Sequence, residues 1–362
     1  MKENIKLLLT PRMFRPSVPD WEIHGVINPA GIRRKDGKIV LYVRVTETPK
    51  NKDKKALNCP VIISESEYKA SEDNVLKRSV KSKSGRIIYL KSGECKLLDI
   101  SHFREIILSK DGFAVEEIDQ QPRFAGKPPE SEYGVEDPRL TKLGGSYYMT
   151  YVSISARDGV STSLAISKNL RDWKRKGIIF QEQNKDVVLF PEKINNHYVA
   201  LNRPESSFIF SKPSIWISYS KDLIYWGKEK AILRTRPHSW ESKRNGAGPP
   251  PIKTEKGWLL IYHGVHDKKD KGIYSAGTAL LDLRNPEKVL ARSPPNKPLL
   301  KPSKIYEKLG YTHNVIFPTA AIPTLDGKSL LIYSGGGDSV ITVRELSFKE
   351  IFENMVSQKY NE

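Results

Sequence analysis

The chain has 362 residues, with 60 lysines and arginines against 42 aspartates and glutamates and only two cysteines, Cys59 and Cys95. This length holds one or two ordinary domains or one long all-β domain, and a formal charge of +18 points to an anionic ligand or an acidic partner surface. A disulfide framework is excluded, and no zinc-finger, RNP or helix-turn-helix pattern supports nucleic acid as a partner.

The first residues, MKENIKLLLTPRMFRPSVPDW, hold an apolar stretch too short for a signal h-region or a membrane span. A cytoplasmic protein with no membrane partner is expected. Residues 11–20 are proline-rich and read as extended over the surface. From Asn28 onward one unit recurs five times: a proline-marked strand, a turn, and an apolar strand ending in or near an aromatic residue. It reads NPAGIRRKDGKIVLYVR at Asn28, EDPRLTKLGGSYYMTY at Glu136, FPEKINNHYVALNR at Phe190, GPPPIKTEKGWLLIYH at Gly248 and FPTAAIPTLDGKSLLIYS at Phe317.

Between the first two units the spacing is longer, and its strand-like runs PVIISES, GRIIYL and EIILSKDG read as outer strands of the first unit with decorated loops. SLAISKNLRDWKRKGIIF at Ser163 and SIWISYSKDLIYWGKEKAIL at Ser214 share a strand, a Ser-Lys turn and a tryptophan. They read as outer strands, with Trp173 and Trp226, like Trp258, filling space between units rather than stacking on sugar; Trp240 precedes a polar loop and is less settled. Residues 347–360 carry apolar residues at helical spacing, which predicts a short terminal helix. The basic runs near Lys50, Lys77 and Asp267 read as solvated loop faces, with a polyanion patch as the alternative.

A hairpin cannot bury its own apolar face, so five of them predict a radial array: an all-β, five-bladed propeller forming one domain over residues 1–362. If each hairpin is innermost in its blade, polar residues at the hairpin ends meet at one mouth of the central channel. Those residues are Asn28 and Asp137 beside the prolines, and Arg44, Arg203, His263 and Asp338 at or beyond the second strands. Asp137 in GVEDPR can present a carboxylate to a ligand or merely open an Asx-turn, and Arg139 is open between pairing and function. Arg203, Arg244 and His263 supply donors from different units, as phosphate or carboxylate binding requires. Taken singly, each is equally readable as a surface ion pair or a core histidine. GAGPPP and SGGGD lack the phosphate-loop pattern, and there is no HExxH, GxSxG or metal-spaced His/Cys cluster. No metal site is expected.

Taken together, NPA with LYVRV, GVEDPR, LFPEKINNHYVALNRP, SIWISYSKDLIYWG, RNGAGPPPIKTEKGWLLIYHGV, and NVIFPTAAI with LIYSGGGD resemble glycoside hydrolase family 130, the inverting β-mannoside phosphorylases and related hydrolases. These motifs run from Asn28 to Asp338 in the family's order. The resemblance implies a five-bladed propeller, with Asp137 as general acid, Arg203, Arg244 and His263 binding phosphate, and Asn28, Arg44 and Asp338 contacting the transferred sugar. It also implies that the proton passes through a sugar hydroxyl. Two positions depart from the pattern: Asn202 replaces the usual histidine before Arg-Pro, and Arg244 the usual lysine before the glycine motif.

One acid beside a basic pocket suits phosphorolysis, because phosphate is already a nucleophile, whereas an inverting hydrolase needs a second carboxylate to activate water. The expected function is phosphorolysis of a β-mannoside, β-1,4- or β-1,2-linked or of the mannosyl-glucose type, to α-mannose 1-phosphate. Phosphate is the co-substrate and no cofactor is expected. The rivals are a β-mannoside hydrolase of the same fold and a non-catalytic sugar- or polyanion-binding propeller. A homo-oligomer is compatible with the sequence, and acceptor sugar, chain length and direction stay open.

Overall fold

A computed structural model describes residues 4–50, 53–65, 68–206, 208, 210–266 and 272–358. Alternation of side chains along each strand dictates the architecture. In Ile39–Pro49, for example, Ile39, Leu41, Val43 and Val45 pack to one side with residues of the last blade. Val40 and Tyr42 pack to the other side, against Leu140, Met149 and Ala165 of the second. Each sheet therefore has two apolar faces and needs a neighbour on both. A ring of five satisfies that condition.

Blade I consists of Trp21–Arg33, Ile39–Pro49, Ile100–Leu108 and Val115–Ile118, from the axis outward. Blade II is Val135–Leu143, Ser146–Ser155, Gly159–Ser167 and Lys174–Phe180, and blade III is Asn184–Leu189, Tyr198–Pro204, Ile215–Ser220 and Gly227–Leu233. Blade IV runs through Arg244–Ala247, Gly257–His266, Ile273–Leu281 and Val289–Arg292, to which the short Val356–Ser357 adds an edge. Blade V is Ile316–Pro323, Ser329–Gly336 and Val340–Ser347, completed by the N-terminal strand Asn4–Leu9. Buried clusters fill every junction, including that between blades V and I, so the ring is closed. The five-bladed all-β expectation holds, as does a short helix near the C-terminus, Phe348–Glu353. Its N-cap Ser347 forms a capping box with Glu350. Residues 359 and 360 of the expected helical tail lie outside the described residues.

The tryptophans pack between blades. Trp173 of blade II meets Tyr42 of blade I edge-on at 5.7 Å and donates its indole N–H to the Tyr42 hydroxyl at 3.0 Å. Trp226 leans on Phe180 and the buried Trp258 on Phe190. Trp240 is buried as well, its N–H bonded to the Pro294 carbonyl at 3.0 Å.

Three sequence expectations need correction. The innermost strand of blade III is Asn184–Leu189, ahead of Phe190-Pro191, and in blade IV the expected strand after the triple proline, Ile252–Thr254, is preceded by a second piece, Arg244–Ala247, paired with the same neighbour. Proline lacks the N–H a ladder needs, so Pro191 follows its strand and the triple proline interrupts the edge of blade IV between its two paired pieces. PVIIS and RIIYL are not outer strands of blade I either. They belong to two small sheets, Ala56–Ser64 with Lys69–Leu76 and Val80–Ser84 with Ile87–Leu90 and Cys95–Leu97, that pack over blades I and II. Of the three runs only EIIL joins the blade, as the end of Ile100–Leu108. The basic run at Lys77 is mostly exposed, as expected, but its last residue, Arg86, turns inward. The run at Asp267 lies, except for Gly272, outside the described residues.

Candidate active site

At one end of the axis lies a cavity of about 880 Å³, counting its open mouth. Asn28, Arg44, Asp137, Arg203, Arg244, His263 and Asp338 all line it. The blade geometry brings them together by two recurring devices. The first is a bulge in the innermost strand, where the register slips between Ile27 and Ala30, Glu136 and Arg139, and Lys185 and Val188. The residues in these bulges, Asn28, Asp137 and Asp186, have φ of 47°, 49° and 56°. Among residues with a side chain, Asn and Asp tolerate left-handed backbone best, and the bulge re-aims each side chain toward the axis. The second device is the second-strand position paired beside the bulge, held by Arg44 and Arg203 in blades I and III, with His263 facing Gly246 of the regular innermost strand in blade IV. Asp338, also left-handed, sits in the turn after the second strand of blade V.

One side of the cavity centres on Asp137, whose Oδ1 accepts from Asn28 Nδ2 at 2.8 Å and Arg44 Nη1 at 2.9 Å. Arg44 also bonds Glu136 Oε1 at 2.8 Å and Ser101 Oγ at 2.9 Å. Burial pushes the Asp137 pKa up, but the Arg44 and Arg139 guanidiniums, with the Asn28 amide, outweigh it and hold the carboxyl below the usual range. Asp338 behaves oppositely: burial raises its pKa, and neighbouring Asp137 and Glu136 add to that against Thr312 and Arg44. Gly335 is required beside Asn28, because a Cβ there would collide with the amide oxygen.

The other side is a cationic wall. Arg203 and Arg244 supply permanent charge, and Arg244 donates to the Tyr274 hydroxyl. His263 lies against Phe317 with ring centroids 4.4 Å apart. Burial, then Arg203, Arg244 and Arg139, push its pKa well below the ordinary value, so His263 acts as a neutral hydrogen-bonding group and not as a third cation. Between the two sides stands Arg139, donating to the Asp137 carbonyl at 2.9 Å and the Gly248 carbonyl at 2.6 Å. Several buried polar atoms here lack partners: Arg139 Nη2, Arg203 Nε, Arg244 Nε, His263 Nδ1 and Asn28 Oδ1. Buried orphans of this kind mark a site built for a ligand.

Sequence reasoning missed Asp186, Arg86 and Tyr274. Asp186 places Oδ2 3.0 Å from Arg203 Nε and 3.6 Å from His263 Nε2, with Oδ1 3.7 Å from Arg139 Nη2. Its signal was an acid preceding an apolar strand, concealed by the misplaced strand start in blade III. Arg86 reaches in from the small three-stranded sheet to Glu136 and, at 2.7 Å, to Asp99 Oδ1. The divergent Asn202 is buried behind the wall, bonded to Asn184 and Ser218.

Comparison with known proteins agrees with this architecture. Residues 87–357 match the family 130 glycoside hydrolases, described as beta-1,4-mannooligosaccharide phosphorylase. The chain belongs to glycoside hydrolase family 130. It is 33% identical to a beta-1,2-mannobiose phosphorylase of Listeria innocua over 96% of both chains. With a 1,2-beta-oligomannan phosphorylase of Thermoanaerobacter sp. it shares 44% identity over 67% of this chain and 78% of that one. The solved Listeria innocua enzyme in complex with beta-1,2-mannobiose superposes with a TM-score of 0.86 at 32% identity, covering 97% of this chain and 99% of that one. Among the described residues, no helix is long and apolar enough to cross a membrane.

Proposed function

We infer that this family 130 protein is an inverting β-mannoside phosphorylase, a single catalytic propeller over residues 1–362 whose co-substrate is inorganic phosphate and which requires no cofactor. The observation that carries the reading is the buried cationic wall of Arg203 and Arg244, with neutral His263, in which Arg203 Nε, Arg244 Nε and His263 Nδ1 have no hydrogen-bond partner, across the cavity from an ionised Asp137. The likeness to phosphorylases acting on β-1,2-linked mannans, one of them over 96% of the chain, favours a β-1,2-linked manno-oligosaccharide as substrate.

In this mechanism Asn28, Arg44 and Asp338 hold the transferred mannose, and Arg203, Arg244 and His263 aim phosphate at its anomeric carbon. A phosphate oxygen bonds to that carbon as the bond to the leaving sugar oxygen breaks, giving α-mannose 1-phosphate. The proton phosphate carries in ends on the leaving alcohol. Asp137 is the station for it and receives its proton only once substrates have entered, because Arg44 and Arg139 otherwise keep it ionised. A cytoplasmic location, where phosphate is abundant, fits the chemistry.

Asp186 favours one rival. In a hydrolase it would be the base that activates water opposite Asp137. Its enclosure by Arg139, Arg203 and His263 suits an anion wall better. Incubating β-1,2- and β-1,4-mannobiose with and without phosphate separates the two. Mannose 1-phosphate formed only with phosphate is expected; free mannose released equally fast without it would make the protein a hydrolase.

A further inference from the structure

A carboxylate is an odd component for a phosphate site. Asp186 is nearly fully buried, lines the cavity, and is locked in place by its left-handed bulge. Its Oδ2 has no hydrogen-bond partner, although Arg203 Nε stands 3.0 Å away. Gly246 leaves room for the carboxylate, since a Cβ there would collide with Oδ2 and with the His263 ring. An oxyanion held by Arg203, Arg244 and His263 therefore sits beside a negative group in a desolvated pocket, where acceptor facing acceptor is costly.

A proton between them reverses the sign. Both forms of inorganic phosphate present near neutral pH carry at least one P–OH, and a hydroxyl donating to a carboxylate makes a charge-assisted hydrogen bond. Sulfate, of the same size and shape, has no proton to give. We propose that Asp186 is the oxyanion-selecting residue of this cavity: its carboxylate accepts the hydroxyl of hydrogen phosphate or hydrogen arsenate and thereby excludes sulfate. The inference rests on the phosphorylase reading. A site built to receive a hydroxyl rejects the analogue lacking it far more strongly than shape alone allows.

The test is competition between phosphate and sulfate during phosphorolysis, in the wild type and in Asp186→Asn, whose amide can donate where the carboxylate could only accept. In the wild type the inhibition constant of sulfate should exceed the KM for phosphate by at least about 100-fold, and in the variant the ratio should fall by at least about tenfold. If Asp186 only holds Arg203 and His263 in place, the variant weakens both oxyanions in parallel, and an unchanged ratio overturns the proposal. The wild-type measurement does not depend on the variant folding: sulfate binding within about twofold of phosphate overturns it too. Phosphate-dependent turnover with an unchanged ratio removes this inference alone. Mannose release without phosphate removes the phosphorylase reading and this inference with it.

Discussion

Arg44 Nη1 donates to Asp137 Oδ1 at 2.9 Å, so the candidate acid of blade II is governed by a guanidinium of blade I. The pairing ties the two blades together at the cavity wall and holds the carboxyl below its usual range. Asp137→Asn keeps the shape and the Asn28 contact but cannot carry a proton. Turnover should drop by about 10²-fold or more with the fold intact by circular dichroism. A folded variant with near wild-type turnover would remove Asp137 from the mechanism.

The two carboxylates of the sugar side should have opposite effects on stability as pH changes. Asp137 is depressed below the unfolded value of about 3.9, so its stabilisation is complete above that pH and lost as pH falls through the folded value. Asp338 is raised, so its contribution is present below about pH 4 and lost as pH rises through the folded value. The melting temperature of wild type minus that of Asp137→Asn should grow as pH rises from about 2 to 5. The same difference for Asp338→Asn should shrink from about pH 4 toward neutrality. Differences of the same sign would contradict the assignment.

Arg203→Ala and Arg244→Ala should raise the KM for phosphate by at least about tenfold, the scale of one charged hydrogen bond, with a much smaller change in mannoside binding. Equal losses for both substrates would place these arginines in general structural support.

Arg86 is the one side chain that the small three-stranded sheet sends to Glu136, and through it to Arg44. Its removal leaves Asp99, only 4% exposed, and Glu136 short of a cation. Arg86→Ala should cost on the order of 2–3 kcal/mol in denaturant unfolding. It should also raise the KM for mannoside more than that for phosphate. A selective effect on phosphate would contradict the geometry.

Trp258 is fully buried between blades III and IV against Phe190. Trp258→Ala should destabilise by about 3–5 kcal/mol, measured by chemical unfolding. A loss under about 1 kcal/mol would mean that the junction collapses to fill the space.

Period and punctuation made the blades legible. Two-residue alternation flanked by turns identified the second strand of each unit, and the polar ends of those strands converge in the cavity. Proline misleads at the innermost strand of blade III, which it follows instead of opening, and in blade IV it conceals the piece Arg244–Ala247 that precedes it. That error concealed Asp186, whose resemblance to Asn28 and Asp137 lies in a backbone angle and not in a neighbouring proline. Arg86 was hidden for another reason: in a run of lysines only the fold determines which cation turns inward. His263 was found, but its charge was not readable, since neutrality comes from burial and three arginines distant in sequence.

Closing the ring with Asn4–Leu9 against Val340–Ser347 has a consequence for synthesis. The strand Asn4–Leu9 must wait for the last blade, and the cavity is built across that same seam, with Asn28 on one side and Asp338 on the other. As the chain leaves the ribosome, blades I to IV can stack in turn, each covering one face of its predecessor. The outward face of blade I and the outward face of the newest blade remain wet throughout. The half of the cavity that joins Asn28 to Asp338 thus comes into being only when blade V docks on blade I.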